Sequence, residues 1–138
     1  MTDQRELIAA AVAAWGKAYA PYSRFQVGAA VRDETGRIHA GCNVENAAYP
    51  VGTCAEAGAL AAMALAGGRR VVEAAVVGAG VGLVTPCGGC RQRLREFGGP
   101  EMTVHICDET GKLRRIFTLE ELLPASFGPQ NLEKGRMP

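Results

Sequence analysis

The pattern that most constrains the fold of this chain is a helix followed by a buried strand, which occurs twice, each time beside a cysteine motif. Helix-forming residues occupy 55–65, stop at a pair of glycines and precede the apolar run 71–77. The same order returns at 87–97, where a second glycine pair separates the helix from a strand-like run at 102–107. This repetition predicts an α/β layer architecture.

The segment before these units predicts a helix and a hairpin. Asp3 as capping residue, with Glu6 at the third helical position, predicts a helix that continues as far as Ala20. Residues 25–31 and 37–42 flank a turn that ends in glycine, which indicates two antiparallel strands.

The segment after the two units predicts one more strand. A second glycine turn at 108–111 leads to a strand at 113–117 and a short helix at 119–123, and residues 125–138 are expected to be irregular. The whole chain therefore predicts a mixed sheet of about five strands covered by helices.

Length and composition restrict the kind of protein. At 138 residues and 48% hydrophobic content, we expect a single domain over residues 1–138. The net charge of +1 favours neither nucleic acid nor a membrane surface, so we expect a small, weakly charged ligand. No run approaches the ~20 apolar residues that span a bilayer. Five cysteines without the spacing of a disulfide scaffold favour a reducing cytoplasm.

Three thiols and one carboxylate, at Cys54, Glu56, Cys87 and Cys90, form the candidate metal site. Structural zinc sites are closed by four protein ligands, whereas catalytic sites keep three and leave the fourth position to water. Three cysteines therefore favour an open zinc site that activates water. The cysteines lie where predicted helices begin, and helix amino ends stabilise thiolates.

The neighbours of these cysteines predict the geometry of the site. Thr85 is the predicted cap of the second helix and Pro86 its first residue, which directs both sulfurs of that motif to the same side. Glu56 follows Cys54 by two residues, and such residues do not share a helix face. We therefore expect Glu56 to stand beside the metal as a proton shuttle rather than as a fourth ligand.

Other cysteines and histidines have simpler interpretations. Cys42 and Cys107 lie in predicted strands and are expected to be buried apolar residues. His39 and His105 are expected to be strand residues rather than ligands. A C-x-x-C pair alone also fits a redox pair or half of a structural zinc site, and the added Cys54, Glu56 and Pro86 favour catalysis.

Together these residues resemble the zinc-dependent cytidine deaminases, whose signature pairs H/C-x-E with P-C-x-x-C. The resemblance extends through residues 19–30, 41–49, 86–92 and 121–127 and points to the short, homotetrameric branch. It implies a three-layer α/β/α fold with a mixed five-stranded sheet. It also implies a cytoplasmic homotetramer of pyrimidine salvage whose active sites are completed by neighbouring subunits.

The resemblance implies the reaction as well. Cys54, Cys87 and Cys90 would bind zinc, and water activated by the metal would attack C4 of cytidine or 2′-deoxycytidine. Glu56 would protonate N3 and then assist the departure of ammonia, leaving uridine or 2′-deoxyuridine.

Six substrate-binding residues are also implied by the resemblance: Phe25, Asn43, Glu45, Tyr49, Ala55 and Phe127. Asn43 and Glu45 match the pair that holds the ribose 3′-hydroxyl, and we expect them at alternate positions of a strand. Phe25 matches a residue that lines the pyrimidine pocket, and Phe127 an aromatic near the base. Tyr49 matches a position near the active site of a neighbouring subunit.

One position departs from the family pattern. Many members of this branch carry arginine directly after the catalytic glutamate, where its positive charge offsets the thiolates, whereas this chain has Ala57. We expect the charge of the thiolates to be offset here by a second cation, with Arg91 the nearest candidate in sequence, or by the helix amino ends alone.

Two other functions fit parts of the sequence. A deaminase of a modified or antibiotic cytosine nucleoside, such as the blasticidin deaminases, shares the C-A-E and P-C-G-x-C-R-Q strings. Those enzymes depart from the family at the positions of Glu45 and Phe127, which this chain keeps. A noncatalytic zinc or redox module is disfavoured by Glu56 and by the missing fourth ligand.

Overall fold

A mixed sheet with the strand order β2-β1-β3-β4-β5 organises the fold. The structure is a computed structural model and describes residues 3–133. The strands are β1 (Val27–Asp33), β2 (Ile38–Cys42), β3 (Val71–Gly78), β4 (Thr103–Cys107) and β5 (Leu113–Thr118). Only β3 and β4 run parallel, and the other three neighbouring pairs are antiparallel. The predicted five-stranded mixed sheet is confirmed.

Helices cover both faces of this sheet. They are α1 (Gln4–Trp15), α2 (Ala55–Leu65), α3 (Gly88–Phe97) and the short α4 (Leu119–Leu122). Leu7, Ile8 and Ala11 of α1 pack on one face, in a core cluster with Ala30 and Ala75. Because successive strand residues point to opposite faces, the neighbouring positions serve the other core.

The opposite face of the sheet packs against α2, α3 and α4. Ala59 and Met63 of α2 and Leu94 of α3 share this core with Ala29 and Val76 of the sheet. The three-layer α/β/α arrangement follows directly from this division. It places the first residues of α2 and α3 next to each other, since both helices lie on the same face.

α2 approaches β2 unusually closely at Gly41. A Cβ atom at this position would lie 2.3 Å from the backbone nitrogen of Ala59 and 2.5 Å from the carbonyl oxygen of Ala55. Only glycine allows backbone to approach backbone at this distance. Gly41 therefore sets the distance between the sheet and the helix that carries the C-x-E motif.

The first helix is shorter than predicted. It ends at Trp15, with Gly16 as its cap, rather than near Ala20. Tyr19 instead pairs with the segment after β2: its N–H donates to Asn43 O at 3.0 Å, and its carbonyl accepts from Glu45 N at 2.8 Å. This tertiary pairing overrides the helix propensity of the alanines around it.

The last part of the chain also differs from the prediction of an irregular tail. Residues Pro129–Leu132 form a 3₁₀ turn, and residues 134–138 lie outside the described residues. Among residues 3–133, no helix combines the length and apolar character that crossing a membrane requires.

Candidate active site

The three candidate zinc ligands converge where α2 and α3 begin. Cys54 is the residue before α2, Cys87 the residue before α3, and Cys90 the third residue of α3. Their sulfur atoms all lie within 4.8 Å of one another. Thiols grouped this closely, from two adjacent helix starts, fit the ligand set of a zinc ion with an open fourth position.

The predicted capping of α3 is wrong in detail. Cys87 itself is the N-cap residue, in an extended conformation with φ −68° and ψ 169°, and Pro86 precedes the helix. Thr85 does not cap it; its hydroxyl accepts from Arg91 Nη2 at 3.1 Å. Arg91 also donates to Pro86 O and Leu122 O, each at 2.7 Å. Arg91 thus braces the backbone in front of the metal site and has its hydrogen bonds there rather than on the thiols.

The surroundings treat the three thiols differently. The backbone N–H of Cys90 lowers the pKa of Cys87, as expected at a helix amino end. Burial raises the pKa of Cys54, and burial together with the charge of Glu56 raises that of Cys90 well above its usual range. Burial thus disfavours the thiolate form of Cys54 and Cys90, and a bound metal ion would favour it.

Glu56 is the second residue of α2 and is only 4% exposed. Burial raises the pKa of its carboxyl group, while its own backbone N–H, Cys90 and Arg93 act in the opposite direction. A carboxyl group whose pKa is raised toward neutrality can both accept and donate a proton. The role of Glu56 as a proton shuttle stays a prediction.

A cavity of about 210 Å³ lies directly in front of these groups. It is lined by Phe25, Val27, Asn43, Cys54, Ala55, Glu56, Val84, Thr85 and Cys87. The structure therefore brings three of the six expected substrate-binding residues together with Glu56 and two ligands. Val27, Val84 and Thr85 were not expected, and nothing in their local sequence distinguishes them from ordinary strand or loop residues.

Asn43 and Glu45 lie in an extended segment after β2, not in a regular strand. Asn43 donates from Nδ2 to Phe25 O at 2.9 Å and accepts from Val27 N at 2.8 Å. Glu45 accepts from the backbone N–H groups of Tyr22 and Ser23 at 2.9 and 3.1 Å, and also from the Ser23 hydroxyl. Both side chains thereby fix the loop that leads into β1.

Glu45 and Tyr49 line a neighbouring cavity of about 370 Å³, together with Tyr22, Ser23, Asn46 and Gly52. Tyr49 is 76% exposed and makes an edge contact with the ring of Tyr22 at 6.1 Å. Phe127 is 57% exposed and lines neither cavity; Gln92 holds its carbonyl oxygen at 2.8 Å. Within one subunit, Phe127 is not brought to the site.

Arg93 is a neighbour of the site that the sequence interpretation missed. Its Nη1 atom lies 3.6 Å from Sγ of Cys90. The two residues are three apart on α3, a spacing that places side chains on the same helix face. The three-residue spacing from Cys90 could therefore have identified Arg93 as a neighbour of the site from the sequence.

Comparison with known proteins supports the same interpretation. Residues 1–106 match the model of the family described as "Cytidine and deoxycytidylate deaminase zinc-binding region". The chain belongs to this family. Zinc is therefore the metal of the three-cysteine site, and the deaminase membership disfavours a noncatalytic module.

Individual deaminases resemble the chain over most of its length. It is 41% identical to a cytidine deaminase of Sporosarcina psychrophila over 130 residues, which cover 94% of this chain and 95% of the relative. The crystal structure of cytidine deaminase from Burkholderia pseudomallei superposes with a TM-score of 0.83 at 45% identity, covering 92% of this chain and 100% of that one. The corresponding structure from Mycobacterium tuberculosis gives 0.78 at 41% identity, with 93% and 99% covered.

Proposed function

We propose that this protein catalyses the hydrolytic deamination of cytidine and 2′-deoxycytidine to uridine and 2′-deoxyuridine, with release of ammonia. The observation that carries the proposal is the buried carboxyl group of Glu56, which shares a cavity with the ligand thiols. A structural zinc site needs no such group, whereas hydrolysis needs both a nucleophile and a proton carrier. The named relatives are cytidine deaminases.

The mechanism divides between the metal and this chain's own residues. When bound to Cys54, Cys87 and Cys90, zinc supplies Lewis acidity that makes water nucleophilic near neutral pH. Glu56 takes the proton of the attacking water, passes it to N3 of the pyrimidine, and then delivers a proton to the departing amino group. One water is consumed and one ammonia released. The raised pKa of Glu56 suits this double role, because the group must both gain and lose a proton in each turnover.

The cavity walls position the nucleoside in this proposal. Phe25 and Ala55 offer apolar contacts to the pyrimidine ring, since both line the cavity that contains Glu56. Asn43 lines the same cavity and Glu45 lines the second one, and in this proposal both bind the ribose hydroxyls. Retention of Glu45 disfavours the antibiotic-type deaminases, which depart from the family at this position.

Free nucleosides in pyrimidine salvage are the proposed substrates, and the cytoplasm is the proposed location. Neither cavity lining includes a lysine or arginine that would bind a phosphate group. All five cysteines of the chain are free thiols, and a reducing compartment would keep the ligand thiols available for zinc.

We also propose that residues 1–138 act as one domain within a homotetramer. The aromatic side chains of Tyr22, Tyr49 and Phe127 are exposed, and the first two line one of the cavities, so all three are suited to contact another subunit. Tyr49 and Phe127 would then complete the pocket of a neighbour. Sedimentation equilibrium of the purified protein tests this, since a monomer would contradict it.

The variant Glu56→Gln tests the reaction. The amide keeps the shape and burial of the side chain but cannot carry protons, so turnover of cytidine should fall by roughly 10²–10⁴-fold or more, the usual contribution of general acid–base catalysis. Loss of absorbance at the cytidine maximum measures turnover, and metal analysis of the same sample measures zinc. Zinc-loaded wild-type protein without activity on cytidine or deoxycytidine would overturn the proposal.

A further inference from the structure

The negative charge of the proposed metal site exceeds the charge that zinc can balance. Three thiolates on Zn²⁺ leave one net negative charge, and an ionised Glu56 adds another on the same side. The cluster sits where Cys90 is fully buried, so water cannot screen this charge from all directions. A nearby cation would therefore stabilise the site beyond what the amino ends of α2 and α3 contribute.

Arg93 is placed to provide that charge. Its guanidinium donates from Nη1 to Sγ of Cys90 at 3.6 Å, and in residues 3–133 this thiol is its one hydrogen-bonding partner. Gly89, between Cys87 and Cys90, leaves room for it: a Cβ atom there would lie 3.2 Å from Arg93 Nη1. The guanidinium thus lies over the turn that holds the thiols.

Other cationic side chains nearby do not serve this purpose. Arg91 directs its donors to Pro86 O, Leu122 O and the Thr85 hydroxyl. Ala57, three residues after Cys54 on α2, has no charge to offer. Arg93 is three residues after Cys90 on α3 and so occupies the comparable spacing on the other helix.

We propose that Arg93 is a positioning residue that offsets the negative charge of the zinc–thiolate cluster through its contact with Cys90. This inference rests on the proposed zinc site and deepens it. The side chain does not contact the substrate cavity, whose lining excludes it. Arg93 acts on the metal ligand and leaves proton transfer to Glu56.

The experiment compares Arg93→Gln, Arg93→Lys and Arg70→Gln with the wild type. Zinc affinity is measured by competition with a chromophoric chelator. Partners of metal ligands typically contribute 10–100-fold to affinity, so Arg93→Gln should lose roughly this factor. Arg93→Lys keeps the positive charge and should therefore retain part of the zinc affinity that Arg93→Gln loses. Arg70 is exposed and directly precedes β3, so Arg70→Gln controls for the loss of one positive charge. This substitution should leave zinc affinity unchanged.

Replacing zinc by cobalt(II) provides a spectroscopic measurement, the sulfur-to-cobalt charge-transfer band. A purely structural role of Arg93 would not shift this band. A cation beside sulfur stabilises its electrons, so removing the guanidinium should shift the sulfur-to-cobalt charge-transfer band to longer wavelength. Raising the salt concentration should narrow the difference between wild type and Arg93→Gln, because an exposed guanidinium is screened.

The outcomes separate this inference from the proposed function. Unchanged zinc affinity and an unmoved cobalt band in Arg93→Gln would overturn the role of Arg93 while leaving an active zinc deaminase in place. An equal loss in Arg70→Gln would also overturn it, because the effect would then come from net charge. Wild-type protein that takes up no zinc would overturn the proposed function, and this inference with it. Recovery of zinc affinity by Ala57→Arg in the Arg93→Gln background would support it.

Discussion

The hydroxyl group of Ser23 helps to hold the Glu45 carboxylate in position. Ser23 donates its hydroxyl and its backbone N–H to Glu45, and the hydroxyl is the main reason that the pKa of Glu45 is lowered. Ser23→Ala leaves the carboxylate held only at Oε1, by the backbone N–H groups of Tyr22 and Ser23, so that its position is less firmly fixed. We expect KM for cytidine to rise several-fold with kcat nearly unchanged, because a misplaced sugar contact weakens binding before it affects chemistry. Steady-state kinetics measure both.

The matched control for this prediction is Thr110→Ala. Thr110 donates its hydroxyl to Asp108 at 2.6 Å in the turn between β4 and β5, a similar contact that lies in neither substrate cavity. Its removal should leave KM unchanged. The penalty of Ser23→Ala should also shrink with 3′-deoxycytidine, which lacks the hydroxyl that Glu45 is proposed to bind; an undiminished penalty would argue against that contact.

The cysteines and Glu56 could be predicted from sequence because their spacing alone restricts their chemistry. Three thiols at helix starts suit zinc, and a carboxylate two residues after a metal ligand does not lie on the same helix face as that ligand. The two arginines could not be assigned in the same way. Arg91 and Arg93 both follow Cys90 closely, and only the folded positions of Pro86 and the thiols decide which guanidinium contacts backbone and which contacts sulfur.

At the scale of elements, the position of α2 depends on Gly41 of β2. Gly41→Ala would force a Cβ atom into the backbone of the helix, so α2 must move outward with Cys54 and Glu56 at its start. Overpacking of this kind typically costs ~1–3 kcal/mol. We expect a lower free energy of unfolding in urea and weaker retention of zinc against a chelator.

Gly82→Ala is the control for Gly41→Ala. It lies in the loop after β3, where an added Cβ atom would meet nothing within 4 Å. Its free energy of unfolding should equal that of the wild type. Equal stability of Gly41→Ala and Gly82→Ala would show that α2 can adjust its distance from the sheet freely.

The helices and strands also differ in how well the sequence predicts them. Both cysteine-linked helices were predicted from helix-forming residues that stop at a glycine pair, and the five strands from strand-like runs next to glycine turns or glycine pairs. The end of α1 was not, since the pairing of Tyr19 with the backbone at Asn43 and Glu45 is long-range in sequence. A local pattern has no information about such a partner.

For the whole molecule, the same four-residue turn connects strands at two places. Asp33 begins the D-E-T-G turn between β1 and β2, and Asp108 begins an identical one between β4 and β5. In both, the carboxylate accepts from the hydroxyl and N–H of the threonine two residues later. Asp33 is 1% exposed, and its carboxylate also contacts His39 Nε2 of β2 at 2.8 Å. The first turn is therefore anchored by a buried carboxylate.

The buried turn predicts how the fold responds to acid. Burial alone raises the pKa of Asp33, but hydrogen bonds from Thr35, His39 and Arg37 outweigh it and hold the pKa far below its usual range. An aspartate in the unfolded chain has a pKa of about 3.9, so on acidification the unfolded chain binds a proton at a pH where the folded chain does not. The stability contributed by ionised Asp33 is therefore complete above about pH 5 and is lost progressively as the pH falls further.

Asp33→Asn should be less stable than the wild type by about 1–3 kcal/mol at pH 7, the usual effect of disturbing hydrogen bonds to a buried charged group. The difference should narrow as the pH falls from about 5 toward 3, because the wild type loses the contribution that the variant lacks. Urea unfolding at several pH values measures this, and comparison of the two proteins cancels the acid sensitivity of the zinc site that both share. Asp108→Asn, at the more exposed turn, should have a smaller effect; a gap for Asp33→Asn that stays constant with pH would contradict an ionised Asp33.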